Sequence, residues 1–310
     1  MPSQRDVKDR ISSVKNIQKI TRAMEMVAGA RLRRAEQRIA ALRPYADALR
    51  RMTRQAAQAA GAEAMRLPLL SEHETTKNVG VLLVTGDRGL AGGFNSQIIR
   101  AGVRISADYA EDGLQTAWYA TGRRGVSSLN FRGHELSGSY TGFADKPAYA
   151  DARSIADDLI TGYVDGKLDR VEIVYNAYIS PLSQHVTRET LLPLSRATIA
   201  TEEPEQEEGQ EGSGEPSDRS KIGQRALVDY EPDPEEILKR LVPDYVEISI
   251  YRALVESTAG FFGAQMTAMR SASDNAGEII TDLTLQMNRA RQAEITQEIM
   301  EVVAGAEGVT

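Results

Sequence analysis

The sequence predicts an α/β protein in which two long terminal helices pair as an antiparallel coiled coil, with an α/β domain between them. Three observations carry that expectation. Apolar residues recur in steps of three and four near both ends of the 310-residue chain. Strand-like and helix-like segments alternate in the middle, the pattern of a mostly parallel sheet with covering helices. An acidic run with no apolar residue, 202–218, sets the last helix apart from the rest.

In chain order, Ser3 with Asp6 three residues on reads as a capping box that opens the first helix. From Leu32 the series Leu32, Ala35, Ile39, Leu42, Ala46, Leu49 keeps 3-4 spacing, and upstream Ile17, Ile20, Met24 and Val27 are read as the same seam. Aromatics are scarce there, so the helix is not expected to wall a large core. Gly61 permits a stop, which gives an N-terminal coiled-coil helix over 1–60. The α/β domain is placed at 76–195. Its strands are expected at 79–85, 115–120, 171–177 and near 185–191, and its helices near 96–109, after 122–125 and near 149–164. An acidic insert and linker follow at 200–232. The stretch 202–218, EEPEQEEGQEGSGEPSD, holds eight acids, two prolines and three glycines, and reads as disordered. Deleting it is expected to leave folding and assembly intact. The thermal transition of the truncated chain and its recovery in any complex check this, and exclusion from the complex would contradict it.

The last helix, 233–305, opens on Asp233-Pro234-Glu235-Glu236, an N-cap, a proline at the first position and two acids in the first turn. Pro243 is expected to bend it near its start. Stepping by four and three from Leu241 to Ala290 gives fifteen positions, thirteen of them apolar. Helical over 234–303, the segment is about 100 Å long at 1.5 Å per residue. No globular domain of this size needs such a rod, so the rod is much of the function. Small residues crowd 257–273, and Gly260 and Gly263 are read as places where the partner helix comes close.

Composition narrows the chemistry. There are no cysteines, hence no disulfide, thiolate ligand or cysteine nucleophile. His73, His134 and His185 stand far apart, in no ligand spacing. No apolar run reaches the roughly 18 residues of a membrane span, and the N-terminus lacks a signal-peptide h-region, so a soluble chain is expected. Net charge is −7, but residues 1–60 hold 14 Lys+Arg against 5 Asp+Glu while the rest holds 23 against 39. A basic helix on an acidic body points to an anionic partner.

The loop Thr85-Gly86-Asp87-Arg88-Gly89-Leu90-Ala91-Gly92-Gly93-Phe94-Asn95, between a strand and a helix, raises the prospect of phosphate binding. Its glycines do not form G-x-G-x-x-G, and Gly-Lys-Ser/Thr occurs nowhere in the chain. A tight structural turn is the reading taken. With no G-x-S-x-G, H-E-x-x-H or plausible triad, no catalytic residue, cofactor site or metal site is assigned.

Three segments carry a family resemblance. The run Asn16-Ile17-Gln18-Lys19-Ile20-Thr21-Arg22-Ala23-Met24-Glu25-Met26-Val27-Ala28 is similar to the N-terminal helix of the gamma subunit of F-type ATP synthases. The glycine loop resembles the one after the family's first strand. Asn288-Arg289-Ala290-Arg291-Gln292-Ala293-Glu294-Ile295-Thr296-Gln297-Glu298, with the Val303-Ala304-Gly305-Ala306 end, resembles its C-terminal helix. Two positions depart from the family pattern: Ala91 stands where cysteine is common, and Gln265 where many members have arginine.

The resemblance implies a Rossmann-like central domain and a non-catalytic subunit: the central rotary shaft of a proton-translocating ATP synthase, coupling ion flow to ATP synthesis. The implied partners are three alpha and three beta subunits of the catalytic head, the epsilon subunit and the membrane ring of c subunits. The implied place is the cytoplasmic face of the cell membrane, as a peripheral protein. Met24 matches a position facing loops of the catalytic ring, and Arg291 and Gln292 match the contact with a catch loop higher in that ring. Two other classes remain from the residues alone. A basic coiled coil that grips nucleic acid is disfavoured because Tyr45 is the only aromatic in 1–60. A Rossmann-type enzyme is disfavoured by the failed fingerprints.

Overall fold

The structure, a computed structural model, describes residues 4–61, 67–73, 75–181, 183–194 and 233–307. The acidic run 202–218 and the expected cap Ser3 lie outside the described residues. Helix α1 runs Gln4–Ala60. There follow β1 Asn78–Val84, α2 Phe94–Glu111, β2 Gln115–Thr121, α3 Arg123–Phe131, β3 Leu136–Tyr140, α4 Tyr149–Val164, β4 Arg170–Tyr178 and β5 Gln184–Leu192. The last helix, α5, spans Pro234–Glu307 and continues through Pro243. At 1.5 Å per residue α1 is about 85 Å long and α5 about 110 Å.

The five strands lie in the order β3-β2-β1-β4-β5, with β5 antiparallel to β4 and the other pairs parallel. Both faces are covered, which is why β1 reads NVGVLLV, almost wholly apolar. Leu82, Ile173 and Tyr175 face one core with Ile155 and Leu159 of α4, while Val81, Leu83 and Val174 face the other with Ile98 and Ile105 of α2. Strand β3 was not expected. Its sequence LSGSY has no β-branched residue and its side chains are only half covered on alternate positions, so no local signal marks it. On β4, Glu172 is buried and accepts a forked contact from Arg188 of β5 at 2.7 and 2.9 Å, which gives the buried carboxylate two charge-assisted partners.

The terminal helices pair antiparallel. Gln18 Nε2 donates to Ser273 O at 3.2 Å, Arg270 Nε to Glu25 Oε1 at 2.8 Å, and the Arg31 guanidinium covers the Phe262 ring at 5.5 Å. Residue numbers rise on one helix as they fall on the other. Each of the fifteen heptad positions expected on α5 is buried or half-buried. The seam of α1 differs from expectation in its first half. Ile17, Ile20 and Val27 are 51, 59 and 52 % exposed, so they are not seam residues. The seam continues backward from Leu32 in unbroken 4-3 steps through Ala28, Glu25, Thr21, Gln18, Val14, Ile11 and Val7, all buried or half-buried. Val27 to Leu32 is a step of five, a break in phase that the hydrophobic pattern masked. The polar seam residues are satisfied by Ser273 O, by Arg270 and, for the Thr21 hydroxyl, by Gln18 O at 3.0 Å.

Two further expectations change. Helix α1 does wall a core: Leu32, Ala35 and Ile39 pack in the same cluster as β1 and α2, and Ala56 in the cluster around α4. Gly260 and Gly263 do not meet the partner helix. A Cβ at Gly260 would lie 3.2 Å from Gln184 Oε1 and 3.3 Å from Phe94, and one at Gly263 would lie 2.7 Å from Gln184 Nε2, so the α/β domain makes the close approach. Glycines that do face the partner helix are Gly29, where an added Cβ would lie 3.4 Å from Met266 Sδ, and Gly277, where one would lie 3.2 Å from Gln18 Nε2.

The joint between α1 and β1 is pinned from below. Asp169 Oδ2 accepts the N–H groups of Lys77 and Asn78 at 2.8 Å each, and Oδ1 lies 2.9 Å from His73 Nδ1. Burial alone would raise the Asp169 carboxyl, but the Asn78 N–H, His73 and the Lys77 N–H outweigh it and hold it below the ordinary carboxylate value. His73 stacks on Tyr163, whose hydroxyl donates to Ser71 O at 2.7 Å.

Candidate functional site

In an open α/β sheet the ligand crevice lies beyond the carboxyl ends of the strands, where the strand order reverses. Here that place is beside β1 and β4, above the glycine loop. Helix α5 fills it. Phe261 lies so close that a Cβ on Gly86 would be 2.9 Å from its ring, and Ser257 Oγ donates to Val84 O at 3.3 Å. What remains is a crevice bounded by Thr85, Gly86, Phe94, Ser257, Thr258 and Phe261, with room for about one water molecule.

The loop itself is closed by its own side chains. Asn95 Oδ1 accepts the Gly86 N–H at 2.8 Å and Asn95 Nδ2 donates to Arg88 O at 3.1 Å, while Leu90 and Gly92 take positive φ of 63 and 55°. The Asp87 carboxylate occupies the N-terminus of α3, accepting the Arg123 N–H at 3.0 Å, where an external anion would otherwise sit. The loop is a turn that brings its own anion. Accordingly the isolated chain is expected to bind ATP no better than about millimolar (weaker than about −4 kcal/mol), and calorimetry showing micromolar binding would contradict this. No group of three or more metal-ligating side chains occurs among the described residues.

The other candidate surface is the rod. Met24 is half-buried at the edge of the α1–α5 seam, and Arg291 and Gln292 are both exposed. The pairing register places Gln4, the first described residue of α1, level with about residue 290 of α5. Helix α5 continues through 291–307 for about 25 Å beyond that level, and among the described residues of α1 none lies level with Arg291 and Gln292. Met24 lies about 30 Å down the axis from them. The structure thus places the three expected contact residues at two separate levels, not in one site.

At the level of Met24, the exposed residues Ile17, Ile20 and Val27 share its 3-4-3 spacing and form an apolar stripe that faces away from α5. This outward stripe has the same period as the internal seam, so periodicity alone does not separate the two. The signal that separates the two is the five-residue phase break before Leu32. Lys15, Lys19 and Arg22 are also exposed, about 150° round the helix from the stripe at 100° per residue, on the other flank of the seam.

The α/β domain is fastened to the rod by polar contacts at its rim. Tyr178 of β4 donates to Glu36 of α1 at 2.5 Å, Tyr149 of α4 donates to Glu247 of α5 at 2.5 Å, and Arg252 of α5 meets Glu189 of β5 at 2.7 Å. Burial, and then the bond to Glu36, pushes the Tyr178 phenol above its ordinary value, so it stays a donor through the physiological range. Arg31 of α1 reaches Asp145, in the loop after β3, at 3.3 Å.

With that geometry in hand, comparison with known proteins is specific. A family model described as ATP synthase matches residues 3–309. The ATP synthase gamma chain of Rubrobacter xylanophilus is 42 % identical over 309 residues, covering 100 % of this chain and 99 % of its own. That of Trichormus variabilis is 39 % identical over 316 residues, covering all of both. Among solved structures, a chain of the Euglena gracilis mitochondrial ATP synthase matches with TM-score 0.65 at 15 % identity, over 99 % of this chain and 94 % of that one. A chain of the Tetrahymena thermophila mitochondrial ATP synthase central stalk and c-ring matches with TM-score 0.59 at 23 % identity, over 82 % and 99 %. At those identities the structural matches establish the fold.

Proposed function

The chain belongs to the ATP synthase gamma chain family, and from that premise we propose that it is the central rotary shaft of an F-type ATP synthase. It is itself no enzyme: it couples ion flow through the membrane rotor to ATP synthesis in the catalytic head. The observation that carries this reading is the rod. Two helices of about 85 and 110 Å pair antiparallel and carry a folded domain on one side, and α5 extends beyond the described start of α1, a shape suited to turning inside a ring. Among the described residues no helix is long and apolar enough to cross a membrane; the c-ring is taken as the link to the membrane.

Finer assignments follow from the same premise. The head is taken as three alpha and three beta subunits around α1 and α5, with epsilon joining the α/β domain at the c-ring on the cytoplasmic face of the membrane. The outward stripe of α1 with Met24, on a helix whose other exposed flank is basic, is the lower bearing surface, where steering and sliding contact with acidic loops suit a part that must keep moving. Arg291 and Gln292 are the upper contact. A charge-assisted hydrogen bond from Arg291 would be worth roughly 1.5–3 kcal/mol. Replacing both with alanine is expected to lower ATP-driven rotation or synthesis without abolishing it, with stability and yield near wild type. Normal turnover and pumping in the double variant would refute the assignment, and loss of assembly would make the pair structural.

Affinity purification of the full chain tests the function as a whole. The expected result is co-purification of a ring with ATPase activity and of c subunits from solubilised membranes. A chain that purifies alone, or that shifts duplex DNA in a salt-dependent way, would overturn it.

A further inference from the structure

The glycine loop has a task other than phosphate binding, and it is carried by Asp87. Oδ1 accepts the N–H groups of Arg123 at 3.0 Å and Gly142 at 3.1 Å, and Oδ2 accepts those of Gly142 and Ala144 at 3.1 Å each. One carboxylate thus fixes the backbone of loop 141–146, which turns at Gly142 with φ +97°.

Held in that shape, the loop presents two groups to the rod. Ala144 O lies 2.9 Å from the Thr258 hydroxyl of α5, which also lies 2.8 Å from Leu254 O and shares its hydrogen between the two. Asp145 Oδ2 lies 3.3 Å from Arg31 Nη1 of α1 and 3.5 Å from Arg88 Nε of the glycine loop. Arg31 in turn covers Phe262 of α5. A single loop grips both helices.

We propose that Asp87 is a positioning residue for torque transfer: it sets loop 141–146 as a clamp that locks the α/β domain to both shaft helices. Domain and rod then turn as one body. This rests on the rotary reading above. The apolar seat of Phe261 on Gly86 resists separation but is non-directional. The rim contacts Tyr178–Glu36, Tyr149–Glu247 and Arg252–Glu189 each hold one helix only. Hydrogen bonds and the Arg31–Asp145 pair have preferred directions and resist slip about the shaft axis.

The test uses the whole complex in sealed vesicles. It measures ATP hydrolysis, ATP-driven proton pumping and amide exchange in loop 141–146. In Asp87→Ala the Gly142 and Ala144 amides are expected to exchange about tenfold faster or more, as charge-assisted bonds are lost. Hydrolysis stays near wild type and protons pumped per ATP fall. Arg31→Met keeps an apolar stem over Phe262 but removes the bridge; it is expected to lose pumping per ATP without faster exchange in the loop. Asp145→Asn should do the same and Asp145→Glu should restore it. If Asp87→Ala does not assemble, the Arg31 and Asp145 variants decide. Unchanged pumping per ATP in those variants overturns the clamp and leaves the shaft reading standing. A wild-type chain that stays still in a hydrolysing complex overturns the shaft reading instead.

Discussion

Gly122→Ala is expected to cost the isolated chain about 3 kcal/mol or more, combining a strained backbone region with overpacking. Gly122 precedes α3 with φ 81° and ψ 141°, a conformation nearly closed to residues with a Cβ. The added carbon would lie 2.2 Å from Thr85 O, 2.7 Å from Thr85 C and 2.8 Å from Gly86 C. All three are backbone atoms, so no rotamer change relieves the clash. Nor is that backbone free to shift. The Thr85 hydroxyl donates to Thr121 O at 2.6 Å and accepts the Gly125 N–H at 2.9 Å, and Gly122 N–H donates to Tyr140 O at 2.8 Å. The ends of β1, β2 and β3 are stitched together at this point, and the glycine loop hangs from the stitch. Gly113→Ala is the control: its φ is +75° but nothing lies within 4 Å of an added Cβ, so only the backbone term of about 1–2 kcal/mol applies. Urea unfolding of the two variants checks the difference; equal midpoints would show that the close approach is relieved some other way.

The second large effect is on assembly. Placing aspartate at both Ile17 and Ile20 is expected to leave the stability of the isolated chain within about 0.5 kcal/mol, because both side chains are exposed and touch no core cluster. In the cell the same change is expected to cut the yield of complex carrying this chain about tenfold or more. Covering an aliphatic side chain is worth roughly 1.5–3 kcal/mol when complete, and on the proposed bearing a carboxylate set against acidic loops adds repulsion. Quantifying the chain in purified complexes against total expressed chain measures it. An equal drop in the stability of the isolated chain would place the stripe inside the fold after all, and a normal yield would remove it from the bearing.

These two positions also show what the sequence reveals and what it hides. The α5 rod was legible because a single phase of 4-3 steps holds from Leu241 to Ala290 and every one of those positions is at least half-buried. Helix α1 carries two apolar stripes of the same period, one for α5 and one facing outward. Periodicity reports that a face is apolar, not what covers it. Gln18, Thr21 and Glu25 break the apolar pattern of the true seam, yet α5 satisfies Gln18 and Glu25 and Gln18 O accepts the Thr21 hydroxyl. The Gly260 and Gly263 contacts were illegible for a related reason: small residues announce a close approach without naming the element that approaches. The failed phosphate fingerprints were readable directly. The occupant of the crevice was not, since Phe261 reaches Gly86 across 175 residues of chain.

The central claim is that this chain turns. The most direct measurement fixes the catalytic head to a surface, attaches a probe to the α/β domain through a cysteine introduced into this cysteine-free chain, and adds ATP. Continuous rotation of the probe in one direction, stopping when ATP is withdrawn, is the predicted result. A probe that only fluctuates about a fixed angle while the head hydrolyses ATP at its normal rate would contradict it.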